Sequence, residues 1–173
     1  MLKVRTLKNP QKTIVSIFLF LLAALISMSP LNLSMEYRAA LIVAISYLSF
    51  STGGLAFAYL TALVAPLFGL IGGDINWLIM LPIFISSLFL AMLGLEYAWR
   101  YAALIISPLL FAAPQIIAYT MSKTDLFAVN LPWEPAQNWI KLQLLSAIAS
   151  TLLIVYIDRL RERQAKKQAE AAQ

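Results

Sequence analysis

The chain has 173 residues, 61% of them apolar and 12% charged, with a formal charge of +5 and neither histidine nor cysteine. A water-soluble domain of ordinary make-up is about 45–50% apolar and about 25% charged, so this balance, with a mean hydropathy of +0.81, excludes a soluble globule and predicts an all-α polytopic membrane protein. The missing residue types exclude disulfides, thiolate metal sites and histidine-based catalysis, and at about 20 residues per crossing the length allows at most six helices through the bilayer.

In chain order, a basic start carrying Lys3, Arg5, Lys8 and Lys12 precedes a first apolar span, about residues 13–29, that stops at Pro30. Its outline is that of a signal peptide, but Ser27-Met28-Ser29 followed by Pro30 is a poor cleavage site, so the segment is expected to stay as a helix. Ser51-Thr52-Gly53-Gly54 is a turn-type cluster that divides the next apolar stretch into a short second span, 37–50, and a third, 55–71. Gly72-Gly73-Asp74 leads into a fourth, 75–95. The fifth, 101–121, contains Pro108 and Pro114, which kink a helix. A polar segment holding Leu131-Pro132-Trp133-Glu134-Pro135 is read as a stiff loop before the sixth span, 139–157. Residues 1–157 thus form one six-helix domain, and 158–173 a basic tail that continues as a solvated helix.

With both termini cytoplasmic, the inner side holds Lys3, Arg5, Lys8, Lys12, Arg100, Arg159, Arg161, Arg163, Lys166 and Lys167, ten basic residues against the outer three, Arg38, Lys123 and Lys141. That is the positive-inside pattern of six crossings. The basic residues therefore orient the chain and touch anionic lipid; with no aromatic-studded basic face, no nucleic-acid partner is expected. Trp77, Trp99, Trp133 and Trp139 fall near span ends, where amphipathic rings favour the interface.

Two groups of residues carry functional expectations. On the third span Gly54, Ala58 and Ala62 recur every four residues, and Ala65, Gly69 and Gly73 continue the rhythm; Ala40 and Ala44 on the second span and Ser146 and Ser150 on the sixth repeat it. Small residues so spaced let helices approach closely in lipid, either within the bundle or against a partner subunit. The second group is polar and outward: Glu36, Arg38, Asp74, Asn76, Asn130, Trp133 and Glu134, with Gln115 either repairing the carbonyl freed by Pro114 or offering its amide to a ligand. Inside the spans the polar residues are neutral, which argues against proton coupling, ion coupling and voltage sensing. An enzyme would need an activating base beside the outer-side candidate acids Glu36, Asp74 and Glu134, and no catalytic residue, metal or cofactor is expected.

Ala40-xxx-Ala44, the Gly53-Gly54 turn and Leu67-Phe68-Gly69-Leu70-Ile71-Gly72-Gly73 resemble the substrate-binding S-components of energy-coupling factor (ECF) vitamin transporters. Arg38 before an apolar run to Gly53-Gly54, and a last helix ending Asp158-Arg159-Leu160-Arg161, are similar to the cell-shape protein family MreD, whose fold looks like that of an S-component. The first resemblance implies a non-enzymatic subunit that captures a small molecule at its outer face and works with a separate, energy-supplying partner complex, since the chain lacks a phosphate-binding loop. The second implies a ligand-free scaffold that docks membrane protein subunits. Both imply a bacterial cytoplasmic (inner) membrane.

Overall fold

The computed structural model describes residues 10–28, 33–98, 102–124 and 133–171, with the side chains of 10, 133–136 and 165–171 outside that description. Every regular element among the described residues is helical: α1 (Pro10–Ser27), α2 (Met35–Gly53), α3 (Leu55–Leu63), a 3₁₀ helix (Ala65–Gly72), α4 (Ile75–Tyr97), α5 (Ala103–Lys123) and α6 (Trp133–Ala171). Four stretches are long and apolar enough to cross a membrane: Leu55–Gly72, Ile75–Tyr97, Ala103–Lys123 and Gln137–Gln164; Gln11–Ser27 is apolar but shorter.

The helix boundaries follow local chemistry. Of the expected turn cluster only Gly54 leaves the helix, at φ 81° and ψ −170°, a backbone region that glycine enters without a Cβ penalty. The third span is not one α-helix. Pro66 has no N–H for an α-helical bond, so α3 stops at Leu63 and the chain tightens into a 3₁₀ helix. Left-handed Gly73 closes that helix. Asp74 then caps α4, its carboxylate accepting from the N–H groups of Asn76 (3.0 Å) and Trp77 (3.3 Å). Helix α5 runs unbroken through Pro108 and Pro114. Trp133 and Glu134, expected on a loop, lie instead in the first turn of α6, because proline two residues later is tolerated where no intrahelical N–H bond is due.

The centre of the bundle is α2. It packs against α1, α3, α4 and α6 and buries residues around its circumference, from Ala39, Ile42 and Val43 to Tyr47 and Phe50. Its 19 residues span about 28 Å at 1.5 Å each, enough for a bilayer, but it is too polar to count among the four apolar stretches. Burial answers that polarity: the Ser46 hydroxyl donates back to the Ile42 carbonyl at 2.8 Å. Tyr47 reaches Ser107 of α5 at 2.7 Å, and Ser107 in turn donates to the Ala91 carbonyl of α4 at 3.0 Å. Gly94 lies where a Cβ would approach the Ser107 backbone to 3.0 Å, so α4 and α5 touch closely. The outside is correspondingly apolar, with Ile14, Phe18, Leu21, Ile105, Leu109, Ile117 and Leu145 exposed.

Hydrogen bonds define the two ends of the bundle. At one end the start of α2 meets the end of α1 and the start of α4 through Arg38. At the other, Tyr59 of α3 donates to Glu96 near the end of α4 (2.9 Å), and Arg161 of α6 donates to the Ser51 carbonyl in the last turn of α2 (3.0 Å). That guanidinium serves a carbonyl left without an intrahelical donor.

Candidate functional site

The polar residues expected at the outer end separate into distinct places. The first is a lock around Arg38, which is 3% exposed and the only buried charged side chain among the described residues. It forms an ion pair with Asp74, whose side chain is 30% exposed. A second guanidinium N–H donates to the Ser27 carbonyl at 3.4 Å, and Cζ lies 4.9 Å from the Trp77 ring centroid. Trp77 is held in turn: its indole N–H donates to the Pro66 carbonyl at 3.0 Å, and Ser27 Oγ donates to the same oxygen at 3.0 Å. A Cβ on Gly69 would collide with the indole. The glycine of the 3₁₀ helix is thus the seat of Trp77.

Electrostatics match this geometry. Partial burial acts to raise the Asp74 carboxyl. The hydrogen bond and charge of Arg38, with the Trp77 and Asn76 N–H groups, outweigh it and hold the pKa below the ordinary carboxylate value. The pair locks three helix ends together, with the buried Arg38 Nε–H left without a partner among the described residues.

The second place is a buried amide pair. Gln115 Nε2 of α5 donates to Gln143 Oε1 of α6 at 3.0 Å. Gln115 therefore does not repair the helix after Pro114; it bridges two helices. Gln115 Oε1, Gln143 Nε2 and the Trp139 indole N–H, all buried, lack partners among the described residues. Trp139 lies one turn before Gln143 and makes edge contacts with Trp77 and Phe84, at 6.5 and 5.9 Å between centroids. The gap beside them, lined by Met80, Gln115, Tyr119 and Trp139, has a volume of about 10 Å³, the room of about one water molecule. Trp77 and Trp139, expected at the membrane interface, are only 1% and 2% exposed; their rings fill the space between α4, α6 and the 3₁₀ helix.

The third place is open. Between the first turn of α2 and the N-terminal part of α6 runs a groove of about 440 Å³ lined by Glu36, Tyr37, Asn138, Lys141, Leu142 and Leu145. Glu36 is half-buried and Lys141 exposed, and among the described residues neither makes an ion pair or hydrogen bond. Of the expected ligand residues whose side chains are described, only Glu36 lines this groove. Asn76 is exposed on the first turn of α4, Asn130 lies outside the described residues, and so do the side chains of Trp133 and Glu134.

The groove residues of α6 were not singled out from sequence, although their spacing was visible: Asn138, Lys141, Leu142 and Leu145 stand at i, i+3, i+4 and i+7, one helix face. The small-residue stripes go inward. Ala58, Ala62 and Ala65 are fully buried, Gly69 meets Trp77, and Ser146 donates to the Ala40 carbonyl at 2.7 Å, joining α6 to α2. Ser150 is buried and Ala44 half-buried, whereas Gly54 and Gly73 mark the ends of α3 and its 3₁₀ continuation. No family model, curated protein or solved structure matches the chain.

Proposed function

We propose that this protein is a non-enzymatic membrane subunit that captures a small molecule at its outer end, in the groove between α2 and α6, and relies on a separate partner complex for energy. It crosses the membrane six times with both termini in the cytoplasm of a bacterial cell. The four apolar stretches, the shorter α1 and the shielded α2 support that count, as does the ten-to-three division of basic residues.

The observation that carries the reading is the groove itself. Its volume of about 440 Å³ falls among small-molecule sites of about 300–1,000 Å³, and it combines apolar walls with two charges that have no partner among the described residues. The scaffold alternative, MreD-like docking through small-residue faces, has less support because Ala58, Ala62, Ala65 and Gly69 are already occupied within the bundle.

Mass spectrometry of denatured protein, purified in mild detergent, tests the proposal. Wild type should release a small molecule in near-stoichiometric amount, and Asn138→Trp, which fills the groove from an exposed position, should release little. Release from neither, or equal release from both, overturns it. A stoichiometric membrane protein recovered instead, and lost on substitution of the bundle's small residues, would favour the scaffold.

A further inference from the structure

The arrangement of charges in the groove names the chemistry of its occupant, given that this groove is the capture site. Glu36 stands on α2 and Lys141 on α6, facing one space without bonding to each other or to any other described residue. Arg38, the nearest basic residue along α2, is committed to Asp74 on another side. An anion seated beside Lys141 meets the carboxylate of Glu36, and a cation seated beside Glu36 meets the ammonium of Lys141. Like-charge encounters of this kind are costly at the edge of a low-dielectric bundle. A molecule carrying both signs satisfies both walls.

The apolar residues add direction. Along α6 the groove runs from Asn138 and Lys141 to Leu142 and Leu145, so polarity falls with depth below the outer end. At 1.5 Å per residue, Leu145 lies about 10 Å deeper than Asn138. We infer that the groove holds an amphipathic zwitterion, its cationic group at Glu36, its anionic group at Lys141 and its apolar part along Leu142 and Leu145. A phosphatidylethanolamine headgroup and a free zwitterionic solute both have this charge chemistry.

Two arms distinguish these sources. In the first, the full chain is placed in nanodiscs containing equal amounts of phosphatidylethanolamine and phosphatidylglycerol, and native mass spectrometry counts the lipid retained. In the second, delipidated protein in detergent is melted with and without glycerophosphoethanolamine. A lipid occupant gives wild-type retention of phosphatidylethanolamine over phosphatidylglycerol by about fivefold; a free occupant gives a raised Tm in the second arm alone. In either case Glu36→Gln and Lys141→Gln should abolish the effect. Both positions are off the core, and an unchanged Tm of the ligand-free variants verifies folding.

Equal retention of the two lipids by wild type together with no rise in Tm overturns the inference, as does a preference that survives both substitutions. If wild-type protein nevertheless releases some other molecule that Asn138→Trp loses, the capture reading stands and only the zwitterion falls.

Discussion

Arg38 shows how a single residue decides between a ligand site and a structural lock. Removing one partner from a buried pair costs about 3–5 kcal/mol when the survivor stays buried and unpaired, and the two partners here differ in burial. Asp74→Asn leaves a buried guanidinium without its counter-charge, so a loss near 3 kcal/mol is expected. Arg38→Met leaves a carboxylate that reaches water, and should cost nearer 1 kcal/mol. Reversible denaturation in mixed micelles checks the order, and a larger loss for Arg38→Met would contradict it.

Acid provides a second test of the same pair. The Asp74 carboxyl lies below its ordinary value of about 3.9, so the folded state favours the ionised form. Its contribution is complete above that value and is lost as the pH falls through the lower folded one. Wild type should therefore lose stability in acid below about pH 4, and Asp74→Asn should lack that component. Sequence put Arg38 and Asp74 on the same expected side of the membrane but not in contact. They lie 36 positions apart, and their pairing depends on which helix starts share a corner of the bundle.

At the scale of elements, spacing revealed the existence of the helices better than their internal form. The apolar run after Gly54 announced a span, yet its change from α-helix to 3₁₀ helix depends on Pro66 and on the close fit of Gly69 to Trp77. Gly69→Ala forces the indole away and weakens its bond to the Pro66 carbonyl. A loss of about 1–3 kcal/mol is expected from such overpacking, reduced when Trp77→Phe accompanies it; no coupling in the double-mutant cycle would show that the two do not touch. The small-residue stripe itself was legible, but a repeat of alanines and glycines does not say whether its partner is inside or outside the chain. Here it is inside.

The amide bridge between α5 and α6 makes a complementary prediction. Gln115→Leu leaves Gln143 buried with an unmet polar group, costing about 1–3 kcal/mol. Replacing both by leucine removes the need along with the bond, so the double variant should lose less than the sum of the single ones. Additive losses would contradict the bridge. Gln115 and Gln143 were each visible as neutral polar residues in spans, while their pairing required the packing of the two helices.

For the whole molecule, the distribution of charge along the chain bears on how the bundle would lie in a membrane. By sequence, ten of the thirteen basic residues fall on the expected cytoplasmic side, and Arg38, Lys123 and Lys141 on the other. Polar α2 sits where four helices surround it, so residues that would be costly against lipid face protein instead. The groove with Glu36 and Lys141 then opens at the end opposite Arg161. With no native cysteine, single-cysteine labelling reads this arrangement directly, using the exposed positions Asn76 and Gln164. In cells with an intact cytoplasmic membrane, a membrane-impermeant maleimide should label Asn76→Cys at once and Gln164→Cys only after permeabilisation. Labelling of Gln164→Cys from outside, or protection of Asn76→Cys until the membrane is opened, would contradict the placement of the groove on the outer face.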